Sequence, residues 1–406
     1  MDVETLRALR HGPGVQALER AIAGFDAGAD PLLVATEVRR EWPGLAPEVA
    51  SAALTQARLR RRGREKFGVD ADRMWFTPDG LEQATRTTVA DHRAARFASL
   101  AARLGRAAKV ADLCCGVGGD LRALSAAGCA VTGYDRDSLT VEVARANAEA
   151  LELEVAVECL DVEKLDLSSF DAAFIDPARR RDGRRVFDIH SFSPPWTFVK
   201  QLLQSRPAAA KLAPGIPHEL IPVDIEAEWV SLDGGLKEAV LWSRDLATPQ
   251  IRRRATVLPA GETLTDLNDA VADVTTPRRF LYEPDPAVVR AHLIGAVAEI
   301  VRGGLLDAST AYVTSDRHVP TPFARAFEIT DVMPFSLKRL RQTLRERGVG
   351  SVTIMKRGSA VDVEQLRRDL RMTGRGHAVV VLALVNGRRE VLLARPVTQA
   401  DSGQPV

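Results

Sequence analysis

Residues 110–120 read Val-Ala-Asp-Leu-Cys-Cys-Gly-Val-Gly-Gly-Asp, a short apolar run that ends in a glycine-rich turn. A helical pattern of apolar residues begins directly after the turn. This order is typical of a parallel strand that leads into a helix around a bound nucleotide-like ligand. A second apolar run, residues 130–134, is followed by Asp135, where a carboxylate can bind the hydroxyls of a ribose. The sequence therefore predicts an open α/β fold with a nucleotide-like ligand at the turn.

The spacing of the glycines narrows the choice of ligand. The dinucleotide-binding signature needs a third glycine three residues after the second. Gly116 and Gly118 fit its first two places, but Leu121 occupies the third. A P-loop is excluded because no Gly-Lys-Ser/Thr follows. A ligand with a ribose and no pyrophosphate remains, and S-adenosylmethionine (SAM) is such a ligand.

The same stretch carries a family resemblance. Residues 112–119 resemble motif I of class I SAM-dependent methyltransferases, in particular the loop of the trimethylguanosine synthase-like RNA methyltransferases. Residues 75–80, Trp-Phe-Thr-Pro-Asp-Gly, resemble a Trp-Phe-Ser-Val-Thr-Pro stretch that precedes the core in that family. The resemblance implies a SAM site that includes Asp112 and Cys115 together with the two glycines, and an RNA substrate.

Composition limits the class of protein. The 406 residues suggest two or three domains, and 46% hydrophobic with 27% charged residues is the balance of an ordinary globular protein. No apolar run approaches the roughly 20 residues that span a bilayer, and the N-terminus lacks the pattern of a secretory signal. We therefore expect a cytoplasmic protein without a membrane-spanning segment.

The four cysteines indicate neither a zinc site nor a covalent mechanism. Cys114 and Cys115 are adjacent, Cys129 and Cys159 stand alone, and no Cys-x-x-Cys pair exists. We expect buried thiols and no metal, with Cys115 near the cofactor through its backbone. No cysteine follows Asp161, which disfavours C5 methylation of a pyrimidine because that chemistry needs a cysteine nucleophile.

The pattern along the chain predicts a helical N-terminal region, a core and a second domain. Residues 1–104 have apolar spacing near 3.6, as in helices. Residues 105–276 alternate short apolar strands with helices, as in a Rossmann-like α/β core. A proline-rich boundary near Pro277 precedes a small α+β domain over residues 277–398, and residues 399–406 form a tail.

The core is predicted to be a seven-stranded sheet of the class I methyltransferase type, with its last two strands forming an antiparallel pair. The predicted strands are residues 109–113, 130–134, 154–157, 171–175, 208–212, 227–232 and 238–242.

The domain over residues 277–398 resembles the THUMP-like modules that hold RNA in RNA-modifying enzymes. The likeness rests on the order of its elements and on the strand Val-Thr-Ile-Met-Lys-Arg-Gly at residues 352–358. The predicted elements are a helix over 288–301, a helix capped by Ser336, a strand over 351–355, a helix over 363–370 and a hairpin around Asn386-Gly387.

Two further acidic residues follow predicted strands. Asp161 can accept a hydrogen bond from the adenine amino group, or it is a solvated loop residue. Asp176-Pro177 closes the fourth strand, and ligands of open α/β sheets lie outside the carboxyl ends of the strands. The Asp176 carboxylate and the Pro177 carbonyl can accept hydrogen bonds from an exocyclic amine and direct its lone pair at a methyl group. We expect a catalytic role for both, the alternative being a strand-ending turn.

The residues after Pro177 depart from the amino-methyltransferase pattern of Pro-Pro-aromatic. Arg179 stands where the aromatic residue is usual, and residues 193–196, Ser-Pro-Pro-Trp, are similar to a trimethylguanosine synthase motif. We expect Arg179 and Trp196 to contact the substrate, Trp196 by stacking on a flipped base. Alternatively, Trp196 covers the core at a helix start, with Pro195 in the first turn. The acceptor atom stays open between the two motifs.

Basic residues cluster although the net charge is only +1. The runs at 58–66 and 179–185 either contact phosphate or are solvated surface. His92, Arg93 and Arg96, on the helix before the core, either face the ligand or lie on a solvent-facing surface of the helix, and the second interpretation is favoured.

These features predict a SAM-dependent methyltransferase that acts on RNA at a base nitrogen. Two alternatives stay open. A small-molecule methyltransferase would share the cofactor residues and would not need the C-terminal domain. A non-catalytic RNA-binding protein would retain the SAM pocket without transferring a methyl group.

Overall fold

The computed structural model of the chain describes residues 1–179, 192–357 and 361–397. The chain divides into two compact units. The first contains Met1–Glu226 and Ala239–Pro249, and the second contains Ala227–Glu238 and the chain from Gln250 onward. In the described part, no helix is both long enough and apolar enough to cross a membrane.

The first unit begins with the predicted helical region. Pro13, Pro31, Pro47 and Pro78 each occupy the first turn of a helix, where the missing N–H has no intrahelical partner to lose. The first five helices pack their apolar faces into one cluster with the segment around Phe76, and the sixth packs against the core that follows. Their bounds are α1 (Val3–Leu9), α2 (Pro13–Asp26), α3 (Pro31–Glu41), α4 (Pro47–Phe67), α5 (Pro78–Gln83) and α6 (Thr87–Leu104).

A Rossmann-like core follows, as predicted. Its strands are β1 (Lys109–Leu113), β2 (Ala130–Asp135), β3 (Ala156–Cys159), β4 (Ala172–Ile175), β5 (Ala178–Arg179), β6 (Phe192–Ser193), β7 (Ala208–Leu212), β8 (Glu226–Leu232) and β9 (Gly235–Trp242). Its helices are α7 (Gly119–Ala126), α8 (Ser138–Ala150) and α9 (Trp196–Ser205). In the first unit the strand order is β9-β7-β4-β1-β2-β3, parallel except for β9 against β7.

All seven predicted core strands form, and the third is displaced along the sequence. β3 begins at Ala156, not Glu154, because the turn after α8 is longer than the pattern indicates. Glu152 adopts a positive φ of 57°, and the Leu153 N–H donates to the Ala148 carbonyl at 2.8 Å.

Next to β8, the second unit contains strands that the sequence analysis did not predict. β8 pairs in parallel with β10 (Arg253–Leu258), which pairs antiparallel with β11 (Glu262–Thr265). Three consecutive arginines, residues 252–254, interrupt the apolar alternation where β10 begins.

A second sheet is formed by strands between residues 280 and 396. Its strands are β12 (Phe280–Pro284), β13 (Gly304–Asp307), β14 (Thr310–Ser315), β15 (Ala324–Pro334), β16 (Val349–Lys356), β17 (Gly376–Val385) and β18 (Arg388–Pro396), in the order β13-β14-β12-β15-β18-β17-β16. Its helices are α10 (Pro286–Arg290), α11 (Ile294–Ile300), α12 (Leu337–Glu346) and α13 (Val363–Leu370).

The predicted elements of this part form with one exception. Ser336 caps α12, and Asn386 and Gly387 turn the β17–β18 hairpin with φ values of 48° and 76°. The single helix predicted over 288–301 is wrong, because the chain breaks it into α10 and α11 at His292, whose φ is 56°.

Candidate active site

The loop between β1 and α7, residues 114–118, is called the glycine loop below. Cys114, Gly116 and Gly118 all have positive φ, at 66°, 57° and 86°. The Cys115 N–H donates to the Tyr134 carbonyl at 3.0 Å, which fixes the loop to β2. A Cβ built on Gly116 meets no heavy atom within 4 Å. The bare backbone at Gly116 therefore borders open space that a ligand can occupy.

Asp135 and Asp161 lie at the carboxyl ends of β2 and β3, the two strands that follow β1 in the sheet order. Asp135 ends β2 and accepts hydrogen bonds from the backbone N–H groups of Gly116, at 3.3 Å, and Asp137, at 3.1 Å. Burial raises the pKa of the Asp135 carboxyl. Asp161 follows β3 and accepts from the Glu163 N–H at 3.2 Å. The sheet thus brings both predicted cofactor residues to the edge that carries the glycine loop.

Asp112 lies on β1 beneath the glycine loop and is fully buried. Neither of its carboxylate oxygens has a hydrogen-bond partner among the described residues. Burial raises the pKa of Asp112 well above its usual range, and the negative charges of Asp120 and Asp176 raise it further. Because a buried carboxylate without donors is costly, this position fits a ligand that brings a cationic donor.

Arg93 is a site residue that the sequence analysis misassigned. The solvent-facing interpretation is wrong for this side chain, which is only 2% exposed. Its guanidinium donates to the Asp120 carboxylate at 2.5 Å and lies 4.6 Å from the centre of the Phe174 ring. Arg93 shares a helix face with the buried Ala90 and Phe97. That spacing in the sequence is the feature that indicates a buried position for Arg93. Asp120 thus has an ion-pair partner, whereas Asp112 has no hydrogen-bond partner among the described residues.

Asp176 follows β4 and lies close to the glycine loop. Its N–H donates to the Leu113 carbonyl at 3.2 Å, and its negative charge contributes to the raised pKa values of Asp112 and of the Cys114 thiol. The ammonium of Lys211 on β7 donates to Asp176 Oδ2. The candidate catalytic residue therefore lies beside the candidate cofactor site, with Pro177 buried next to it.

The two candidate substrate motifs are brought together by a short ladder. Ala178 of β5 pairs with Ser193 of β6, so the stretch that begins at Asp176 lies against the stretch that leads to Trp196. Trp196 begins α9 after Pro195 at the N-cap, and the side chain is buried. A stacking role for Trp196 stays a prediction. The Arg179 side chain and the rest of the second basic run lie outside the described residues.

The segment 75–80, singled out by its resemblance, packs directly on the glycine loop. The side-chain amide of Asn147 donates to the carbonyls of Trp75, at 3.0 Å, and Val117, at 2.7 Å. A Cβ built on Gly80 would lie 2.6 Å from Val117 Cγ1, closer than real contacts allow. The position of the glycine loop thus depends on Gly80.

We therefore expect Gly80→Ala to weaken SAM binding by about tenfold, because the added methyl group displaces Val117 and with it the loop. Isothermal titration with SAM measures the effect. Gly44→Ala is the matched control, since no heavy atom lies within 4 Å of its added Cβ. Equal dissociation constants for the two variants would contradict the dependence of the glycine loop on Gly80.

Comparison with known proteins identifies the family. Two Mycobacterium tuberculosis proteins, from strains CDC 1551 and H37Rv, are each 37% identical to this chain over 338 residues, covering 80% of this chain and 90% of the relative. Both are named as uncharacterized S-adenosylmethionine-dependent methyltransferases. The chain belongs to the S-adenosylmethionine-dependent methyltransferases.

Family models also match a methyltransferase domain in this chain, and they match two further segments outside it. A model described as a methyltransferase domain matches residues 110–180, and one described as THUMP domain-like matches residues 324–396. A domain of unknown function matches residues 2–63. A crystal structure from Porphyromonas gingivalis W83, given as a candidate methyltransferase, matches with a TM-score of 0.69 at 24% identity, over 87% of this chain and 92% of that one. That likeness shows the fold.

SAM is the cofactor of this methyltransferase, and the residues present fit it. SAM carries an α-ammonium, two ribose hydroxyls and a sulfonium-bound methyl group. Three features fit such a ligand: the Asp112 carboxylate, which has no hydrogen-bond partner among the described residues, the carboxylate of Asp135 and the open space at Gly116.

Proposed function

We propose that this methyltransferase methylates a base nitrogen in RNA. The observation that carries the proposal is the distribution of charge. Residues 324–396, which match the THUMP-like model, contain 15 Lys and Arg against 7 Asp and Glu, a net charge of +8 in a chain whose total is +1. The rest of the chain is therefore acidic. A concentrated positive charge on one domain fits a polyphosphate partner.

The cations of this domain are available at its surface. Lys338, Arg339 and Arg345 on α12, and Arg371 and Arg375 after α13, are all exposed. None of these five side chains forms an ion pair with an acidic group among the residues that the structure describes. Phosphate groups can therefore contact them without first displacing a carboxylate.

The first basic run, residues 58–66, is used differently. Arg60 donates to the Met74 carbonyl at 2.9 Å, Arg64 to Asp72 at 2.7 Å, and Lys66 to the carbonyls at the end of α5. These cations hold the helical region together. This difference between the two groups of cations favours the THUMP-like domain over the N-terminal helices as the RNA-binding surface.

In the proposed site the cofactor lies across the ends of β1, β2 and β3. Asp112 would accept from the α-ammonium, Asp135 from the ribose hydroxyls and Asp161 from the adenine amino group, with Cys115, Gly116 and Gly118 providing the backbone of the loop. SAM supplies an electrophilic methyl group on a positively charged sulfur.

The chain's own residues then orient the acceptor. The Asp176 carboxylate and the Pro177 carbonyl accept the two N–H groups of an exocyclic amine, which directs the nitrogen lone pair away from both. The new N–C bond forms from that lone pair, the electrons of the broken C–S bond stay on sulfur, and the nitrogen loses one proton, which Asp176 can accept. Orientation of this kind can supply about 7–11 kcal/mol in favourable cases. The resemblance to trimethylguanosine synthase-like enzymes supports such an acceptor.

Reversing two charges on the THUMP-like surface tests the proposal. We expect Arg339→Glu with Arg345→Glu to weaken binding of total RNA at least about tenfold and to reduce the salt slope of log K by about 2. Filter binding between 50 and 200 mM salt gives both quantities. The control is Arg39→Glu with Arg40→Glu on α3, which makes the same change in net charge at exposed positions. Equal losses in the two double variants would contradict a specific surface.

A further inference from the structure

Lys211 occupies an unusual place for a lysine. It lies on β7 between buried alanine and leucine residues, in a strand that pairs in parallel with β4. The register places Ala210 opposite Ile175, so Lys211 and Asp176 are the next residues along the two strands. The lysine side chain is 15% exposed and the aspartate side chain 31% exposed. The sheet itself therefore holds the ammonium against Asp176 Oδ2.

A second lysine, Lys66, carries a charge that interacts with the charge of Lys211. Lys66 on α4 donates to the carbonyls of Leu81, Glu82 and Ala84 at 2.6–2.8 Å, which fixes its ammonium. Burial, together with the positive charges of Arg86 and Lys211, lowers the pKa of Lys66 to about 8. Since the two ammonium groups repel each other, movement of the Lys211 ammonium towards Lys66 is unfavourable.

An aspartate carboxylate turns freely about its last bond unless one oxygen is held, because this torsion has no sharp minima. We propose that Lys211 is a positioning residue that holds Asp176 Oδ2 and so presents the other oxygen to an N–H of the acceptor. The pair is neutral as a whole, so it orients an uncharged amine beside the cofactor's sulfonium without adding a strong charge of its own. This inference rests on the proposed function, in which Asp176 orients the acceptor nitrogen.

If Lys211 positions Asp176, removing its charge should lower kcat without changing the affinity for SAM. Lys211→Met keeps the length of the side chain and removes its charge. We expect this change to lower kcat for RNA methylation about 10–100-fold and to leave the SAM dissociation constant within about threefold of wild type. Lys211→Arg restores the hydrogen bond and should recover most of the lost kcat. Lys200→Met, at an exposed position on α9, is the matched control and should leave kcat unchanged.

The decisive comparison combines the two sites. In an Asp176→Asn background, Lys211→Met should change kcat by less than about twofold, because the group that it positions is already altered. A full additional loss in that background would overturn the inference, as would a Lys211→Arg variant no better than Lys211→Met. If Lys211→Met does not fold, as judged by circular dichroism, Lys211→Leu, which also removes the ammonium, is measured in the same two backgrounds. Absence of RNA methylation by the wild-type enzyme would contradict the proposed function and remove the basis of the inference. Wild-type activity that Lys211→Met preserves would contradict the inference alone.

Discussion

Asp112→Asn is expected to weaken SAM binding by about 100-fold, or about 2.7 kcal/mol, because it removes the buried charge that the cofactor's ammonium would meet. The same change should raise the melting temperature of the cofactor-free enzyme. Asp112 is fully buried and has no hydrogen-bond donor among the described residues, so its negative charge opposes folding.

The pH dependence of this stabilisation follows from the raised pKa of Asp112. In the unfolded chain the carboxyl ionises near its ordinary value, whereas in the folded enzyme burial keeps it protonated to a higher pH. The folded state therefore loses stability as the pH rises from the unfolded pKa to the folded one. The gain in melting temperature from Asp112→Asn should accordingly be larger at neutral pH than near the unfolded pKa.

Isothermal titration with SAM and thermal unfolding at two pH values measure the two effects. Asp245→Asn, at an exposed position, is the control and should change neither quantity. An Asp112→Asn variant that binds SAM as tightly as the wild type would show that this carboxylate does not bind the cofactor.

Asp176→Ala is expected to lower kcat by at least about 1,000-fold, within the range that a positioned acceptor or base contributes. SAM affinity should stay within about threefold of wild type, because the cofactor contacts that we propose come from other residues. Single-turnover transfer to RNA gives the first quantity and titration the second. The variant leaves Lys211 without its carboxylate partner, so thermal unfolding is needed to show that the sheet remains intact.

Asp176→Asn is the matched variant, since it keeps the shape and one oxygen acceptor. We expect an activity between those of the wild type and the alanine variant. Normal methylation by Asp176→Ala would rule out the catalytic role of Asp176. Residues 193–196 would then be the candidate catalytic motif.

Local sequence patterns were sufficient to predict the core of the first unit. The apolar runs before Asp112 and Asp135 are long enough to indicate buried parallel strands, and the glycines between them require a tight turn. Since the carboxyl ends of parallel strands meet at one edge, the positions of Asp161 and Asp176 followed from the strand assignment alone.

Contacts between distant segments could not be predicted in this way. Lys211 and Asp176 are 35 residues apart, and Arg93 and Asp120 are 27 apart, so no local pattern links either pair. The spacing of Ala90, Arg93 and Phe97 predicts that Arg93 lies on a buried helix face, but the charge of an arginine favours an exposed position. That Asp112 has no hydrogen-bond partner among the described residues is a property of the folded environment and has no counterpart in the sequence.

The most direct test of the proposed activity is methyl transfer to RNA. The purified enzyme is incubated with SAM labelled in its methyl group and with RNA from a strain that lacks the gene, and the digested nucleosides are separated by mass spectrometry. We predict label in one nucleoside, on a base nitrogen, and none with the Asp176→Ala variant. Label on a ribose or a base carbon, or enzyme that binds SAM and leaves RNA unlabelled while it methylates a small molecule, would contradict the account.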